Sequence, residues 1–180
     1  MLLVYLADGF EEVEALTVVD VLRRAEINTK TVGVTGKRVT GAHGIPVEAD
    51  IVVDEINWNE VTAMFFPGGM PGTKNLDECP VIKEKAVEFA NAGKPVFAIC
   101  AAPMILGKLG ILKGKEAICY PSFETYLDGA KISEKNVCRD GNIITGEGPG
   151  AAADFAFEIV AYLKDADTAA QLKCDMRYER

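Results

Sequence analysis

Cys100 stands in the run VFAICAAPMIL, Val96 to Leu106, with alanines two positions away on either side, Ala98 and Ala102. A nucleophile carried on a sharp strand-to-helix turn needs such small neighbours, because bulkier side chains collide in that strained backbone. Pro103 suits the first turn of a following helix, where its missing N–H costs little. A thiol at a helix N-terminus lies near unpaired backbone N–H groups and the positive end of the dipole, and both favour the thiolate. The pattern therefore allows a cysteine nucleophile. It equally allows a small hydrophobic side chain filling the end of a buried strand.

Two further stretches carry groups that such a nucleophile could use. MFFPGGMPG puts Gly68 and Gly69 just past an apolar run, where residues without side chains let the backbone turn and aim N–H groups into a crevice. The N–H of Gly69 and that of Ala101 could together stabilise an oxyanion formed when Cys100 attacks a carbonyl carbon; an ordinary glycine-rich turn is the other reading. In DGFEEVEALTVVDVLRRA, Glu11 and Glu12 read as first-turn acids favoured by the helix dipole. Glu14 differs, because it shares a helical stripe with Phe10, Val18 and Val21. Desolvation on that apolar face would raise its pKa and keep it protonated, able to donate to a thiolate or move a proton. If it sits at the stripe's edge, it is a partly exposed acid and no more.

The elements that must position these residues follow from periodicity. LLVYLA, a helix over 11–25, TKTVGV, VTAMFF, a helix through PVIKEKAVEFANAG, PVFAI and a helix starting near Ala101 alternate along the chain. That order predicts an α/β protein, a flavodoxin-like, doubly wound parallel sheet with right-handed crossovers, in which chemistry gathers at the carboxyl ends of the strands. GKRVTGAHGIPVEAD reads as a small β-hairpin excursion, and NVCRDGNIITG as two strands turning at Asp140 and Gly141. AAADFAFEIVAYL spaces Phe155, Glu158, Ile159 and Tyr162 as a final amphipathic helix, and the closing DMRYER is expected to be loosely held.

Composition limits the partners. With 180 residues, 49% of them hydrophobic, the chain fits a single domain over 1–180 whose core needs no disulfides. A net charge of −8 opposes binding to nucleic acid or anionic membranes, and neither partner is expected. The apolar start MLLVYLA stops at Asp8, lacks a basic leader and is too short to span a bilayer, so a first strand and a cytoplasmic protein are expected. The 5 cysteines form no CxxC pair and the chain has 1 histidine, so neither a disulfide framework nor a metal site is expected. Cys119, Cys138 and Cys174 read as buried thiols and Cys79 as a surface residue at a helix start. Any cysteine–histidine dyad would have to use His43.

Taken together, GFEEVE, FPGGMPG, AICAAP and GEGPG resemble the ThiJ/PfpI superfamily, in the branch that holds the parkinsonism-associated deglycase and its bacterial relatives. The match runs in order over nearly the whole chain. The resemblance implies a flavodoxin-like sandwich similar to class I glutamine amidotransferases, usually homodimeric and without a cofactor. It implies Cys100 as the elbow cysteine, Glu14 as its protonated partner, and Gly69 with Ala101 as oxyanion donors. Gly68 would complete the turn, and Gly148, Pro149 and Gly150 would shape the pocket wall. Two departures stand out. The protease-like branch has histidine directly after the cysteine, where this chain has Ala101. Many deglycase-branch members have a histidine at the position that aligns with Tyr120, and a phenol of ordinary pKa is a poor base at neutral pH. His43, in GAHG, aligns with a position often held by arginine or histidine near the site; alone, it reads more readily as a solvated loop residue than as a functional one.

The function this implies is a cysteine-dependent, cofactor-free enzyme of glyoxalase or deglycase type, whose substrate is a small reactive carbonyl such as methylglyoxal or its early adducts, including glycated groups. The rival is a redox-responsive, protective or chaperone-like protein in which Cys100 is oxidised to a sulfinate held by Glu14. Peptidase action finds little support, since only His43 could serve as base.

Overall fold

Apolar runs such as LLVYL, AMFF, VFAI and IITG are buried along their whole length, as strands covered by helices on both faces must be. The computed structural model describes residues 1–178. In chain order the elements are β1 (Leu2–Leu6), α1 (Glu12–Arg24), β2 (Thr29–Gly33), β3 (Arg38–Thr40), β4 (Pro46–Glu48), β5 (Ile51–Val52), β6 (Ala63–Phe66), α2 (Gly72–Asp77), α3 (Pro80–Asn91), β7 (Val96–Ile99), α4 (Pro103–Lys108), β8 (Glu116–Ala117), β9 (Lys131–Ile132), β10 (Val137–Asp140), β11 (Ile143–Gly146), α5 (Ala152–Leu163) and α6 (Ala166–Asp175).

The main sheet has 7 strands in the order β10-β11-β7-β6-β1-β2-β5. All pairings from β11 to β5 are parallel, so the flavodoxin-like reading holds for the body of the fold. β10 pairs antiparallel with β11, because a turn at Gly141 and Asn142 is too short for a crossover and can only bring the chain back beside itself. The expected excursion is a separate two-stranded antiparallel ribbon of β3 and β4, with residues 41–45 as its loop.

Alternation along the strands divides the core in two. Leu2, Val4, Leu6, Phe65, Phe97 and Ile99 face α1 and α5, meeting Val18, Leu22, Phe155 and Ile159. Leu3, Tyr5, Met64, Phe66, Val96 and Ala98 face the other way, onto Ile82, Ala86 and Phe89 of α3. The chain end departs from expectation: Asp175 closes α6, and the Tyr178 ring packs 5.2 Å from that of Phe157. The rest of DMRYER, residues 179–180, lies outside the described residues. Cys119 and Cys138 are buried as expected, but Cys174 is exposed because α6 turns that face to solvent. Cys79 is half-buried, at the N-cap of α3 and packed on the core layer that faces that helix. No helix among the described residues is long and apolar enough to cross a membrane.

Phe155 fastens α5 to the sheet, its ring 5.4 Å from that of Phe65. Phe155→Ala should lower unfolding stability by about 3–5 kcal/mol, read as a lower urea midpoint with an unchanged slope.

Candidate active site

β7 delivers its last side chains at the carboxyl edge of the sheet, and the residue after it breaks the strand. Cys100 has φ +63, the left-handed region that a side chain with a Cβ seldom enters. The conformation is fastened from both sides: the Cys100 N–H donates to the Gly146 carbonyl at 2.9 Å, and its own carbonyl accepts from the Tyr120 N–H at 2.8 Å. Ala98 and Ala102 are fully buried around the bend, as the small-residue pattern anticipated. Pro103 opens α4, which spans only 6 residues. At 8% exposure Cys100 is confined but not sealed.

Glu14 comes from α1 and is fully buried, as are Phe10, Val18 and Val21 of the same stripe. Its Oε2 accepts the Gly68 N–H at 2.7 Å, and its carboxyl is hydrogen-bonded with the Cys100 thiol. Oε1 is buried without a hydrogen-bond partner, which disfavours a full negative charge there. Gly68 is needed for its size: a Cβ at that position would lie 2.6 Å from Cys100 Cβ and 2.7 Å from Glu14 Oε2. Gly69 holds φ +87, the left-handed region that favours glycine, and its N–H and that of Ala101 both meet the sulfur. These are the two amides expected as oxyanion donors, here seen on the resting sulfur.

Burial raises the Glu14 pKa to about 7, with the nearby Glu11 charge pushing the same way and the Cys100 and Gly68 hydrogen bonds pulling it down. Burial, then the Glu14 charge and its hydrogen bond, push the Cys100 thiol up to about 12, against the Gly69 and Ala101 amides. The lowered thiol pKa expected at the bend is therefore not what the pair shows while Glu14 is ionised, since burial outweighs two amides and a short helix. Both Glu14 contributions reverse once its carboxyl carries the proton, because repulsion vanishes and the acid becomes a donor to sulfur. The thiolate belongs to the state in which Glu14 is protonated.

The remaining candidates divide. Tyr120 is 47% exposed and, with Pro121, Asn136, Glu147, Gly148 and Pro149, lines a cavity of about 360 Å³ whose lining does not include Cys100 or Glu14; the Tyr120 backbone N–H alone ties it to the bend. A Cβ on Gly148 would come 3.2 Å from the Tyr120 ring, so the glycine lets the ring lie on the loop. His43 is engaged by acids rather than by Cys100: its Nδ1 lies 2.8 Å from Glu12 Oε2 and 3.7 Å from Glu11 Oε2. Its side chain is well exposed, and the acidic pair raises its pKa, the Glu12 hydrogen bond first. Among the described residues Glu11, Glu12 and His43 alone bring three metal-ligand side chains within 4.8 Å of one another. Glu12 reads from the sequence as a first-turn dipole acid, and no local signal marks it otherwise, yet it is 5% exposed and tied to the 41–45 loop.

The DJ-1/PfpI family model matches residues 1–162. A deglycase of Pyrococcus abyssi is 32% identical over 168 residues, covering 90% of this chain and 98% of that protein. A glutathione-independent glyoxalase of Caenorhabditis elegans is 32% identical over 155 residues, covering 86% and 83%. The solved structure of oxidized Toxoplasma gondii DJ-1 superposes with a TM-score of 0.94 at 29% identity, over 99% of this chain and 98% of that one.

The pH dependence of stability isolates Glu14. With an ordinary value of 4.5 in the unfolded chain and about 7 in the fold, the folded state holds a proton that the unfolded one has released. Its stabilisation is complete below pH 4.5 and is lost as pH rises through 7, about 3 kcal/mol in all. His43 loses stabilisation in the same direction, so the measurement is a difference: urea unfolding from pH 5 to 8 should fall more steeply in wild type than in Glu14→Gln.

Proposed function

The chain belongs to the DJ-1/PfpI family, and on that premise we propose that it converts methylglyoxal, or the early adducts methylglyoxal forms on amino and thiol groups, into hydroxy acids through Cys100. What carries the reading is a sulfur on a left-handed bend, met by two backbone N–H groups and by a buried acid whose proton it can exchange. The family relatives named as a deglycase and a glyoxalase support the same class of reaction.

The chemistry needs no outside oxidant. The Cys100 thiolate adds to the aldehyde carbon, and the oxygen that gains the electron pair forms beside the Gly69 and Ala101 amides. That carbon then loses its hydrogen as a proton while the neighbouring ketone carbon gains one, with Glu14 placed to carry it. The aldehyde carbon is thereby oxidised to a thioester as the ketone is reduced to an alcohol. Water cleaves the thioester, releasing lactate and returning the thiol. From an adduct, the amine or thiol departs as the leaving group. Tyr120 serves as a wall of the cavity and hydrogen-bond donor, and His43, engaged by Glu12, is not the base. Purified wild type incubated with methylglyoxal should yield lactate at a rate far above Cys100→Ser; equal rates in the two would end the proposal.

A second reading rests on the same contact. A carboxylic acid beside the sulfur could donate to a sulfinate oxygen, and a relative with this fold has been solved in an oxidized form. Mild peroxide should then add two oxygens at Cys100 alone, seen by intact mass and peptide mapping. Oxidation spread over all 5 cysteines would argue for unselective damage instead.

A further inference from the structure

Glu12 lies outside the catalytic pair, yet it is a buried carboxylate with specific partners. Its Oε1 accepts the N–H of His43 at 2.8 Å and that of Ile45 at 3.4 Å, and its Oε2 meets His43 Nδ1 at 2.8 Å. Gly41 leaves the space for this, because a Cβ there would overlap the Glu12 carboxyl. The loop so gathered is closed by hydrogen bonds from the Gly41 N–H to Ile45 and from the Gly44 N–H to Gly41.

This loop reaches the catalytic pair through the segment 8–11. The Ala42 N–H donates to the Phe10 carbonyl at 2.8 Å, and the Gly9 N–H donates to Thr40 at 2.8 Å. On its other side the segment grips the glycine turn. The Glu11 N–H donates to the Gly68 carbonyl at 2.9 Å, and the Gly72 N–H donates to Gly9 at 3.2 Å. Gly68 and Gly69 in turn present N–H groups to Glu14 and to the Cys100 sulfur. The four contacts on the two sides of the 8–11 segment are backbone hydrogen bonds of 2.8–3.2 Å, so a shift of the loop has a direct route to those two amides.

We propose that Glu12 is a positioning residue for Cys100: by clamping the 41–45 loop it holds the 8–11 segment, and through it the Gly68 and Gly69 amides, in register with the catalytic carboxyl and sulfur. The inference rests on Cys100 being the reacting atom, as proposed above, but not on which carbonyl it meets.

The sign of one measurement separates positioning from a mere effect of charge. Slackening the clamp draws the Gly69 amide away from the sulfur whose anion it stabilises, so Cys100 alkylation should shift to higher pH. Removing a nearby negative charge alone would shift it to lower pH. The charged groups facing the pair are Glu14 and Cys100 themselves and Glu11, while His43 faces Glu11 and Glu12. Alkylation of Cys100 by iodoacetamide, followed by peptide mass from pH 5.5 to 9, is measured for wild type, Glu12→Gln and Gly41→Ala. The first variant removes the charge, whereas the second displaces the carboxylate and keeps it. Asp165→Ala, which removes the N-cap of the remote α6, controls for general loss of stability. Both test variants should move the profile up by about one pH unit, so that alkylation at pH 7 slows about tenfold, while the control keeps the wild-type profile. A downward shift, or an unchanged profile with only a lower melting temperature, would overturn the proposal. Should Gly41→Ala fail to fold, Glu12→Gln carries the test, since its side chain is of the same size but replaces two charged acceptors with one neutral oxygen and so weakens the clamp without emptying the space. Alkylation does not depend on turnover, so a protein inactive on methylglyoxal could still pass or fail it.

Discussion

One proton, divided between a buried carboxyl and a buried sulfur, sets the demands on the rest of this fold. Glu14 and Cys100 are both withdrawn from water, and neither ionises at its usual pH. With the proton on sulfur the pair is a carboxylate and an inert thiol. With the proton on Glu14 the same atoms are an acid and a nucleophile, and the acid stabilises the anion it faces. For this exchange to happen the two groups must touch, and the backbone between them must be bare. Gly68 supplies that bareness, and the left-handed turn at Cys100 brings the sulfur within reach.

The surrounding loops hold this contact from three directions. Gly146 and Tyr120 fasten the backbone of Cys100 on either side, so the strained turn cannot relax into a strand. The Gly68–Gly69 turn carries the amides and is gripped by the 8–11 segment, which is held by the ribbon loop. Separate stretches of chain thus meet at the carboxyl edge of the sheet, where the fold class leads one to look for a site. The acids around His43 lie outside that contact but share its framework.

Much of this was legible in the residues because it depends on local rules. Strand and helix order followed from periodicity, the bend from the alanines flanking Cys100, and the buried carboxyl from the apolar stripe through Glu14. What was not legible depends on pairs distant in sequence. Glu12 looked like any first-turn acid because its partners lie 31 and 33 residues away on a separate ribbon. The thiol's ionisation was misjudged because its sign depends on the protonation of another residue, which no spacing rule encodes. Cys174 faced outward because the orientation of α6 is set by packing.

The division of the core into two layers has a bearing on how such a protein can change. Cys100, Ala101 and the apolar neighbours of Glu14 belong to the layer beneath α1 and α5, while α3 and its contacts fill the opposite side of the sheet. The sheet itself stands between them as a partition. Substitutions under α3 that leave Ala98 and Ala102 alone, the two residues of that layer that frame the bend, can accumulate, exchange volume with one another and tune thermal tolerance, while the reactive corner keeps its geometry. That far side is the natural place to graft stability or a new attachment point without disturbing the sulfur.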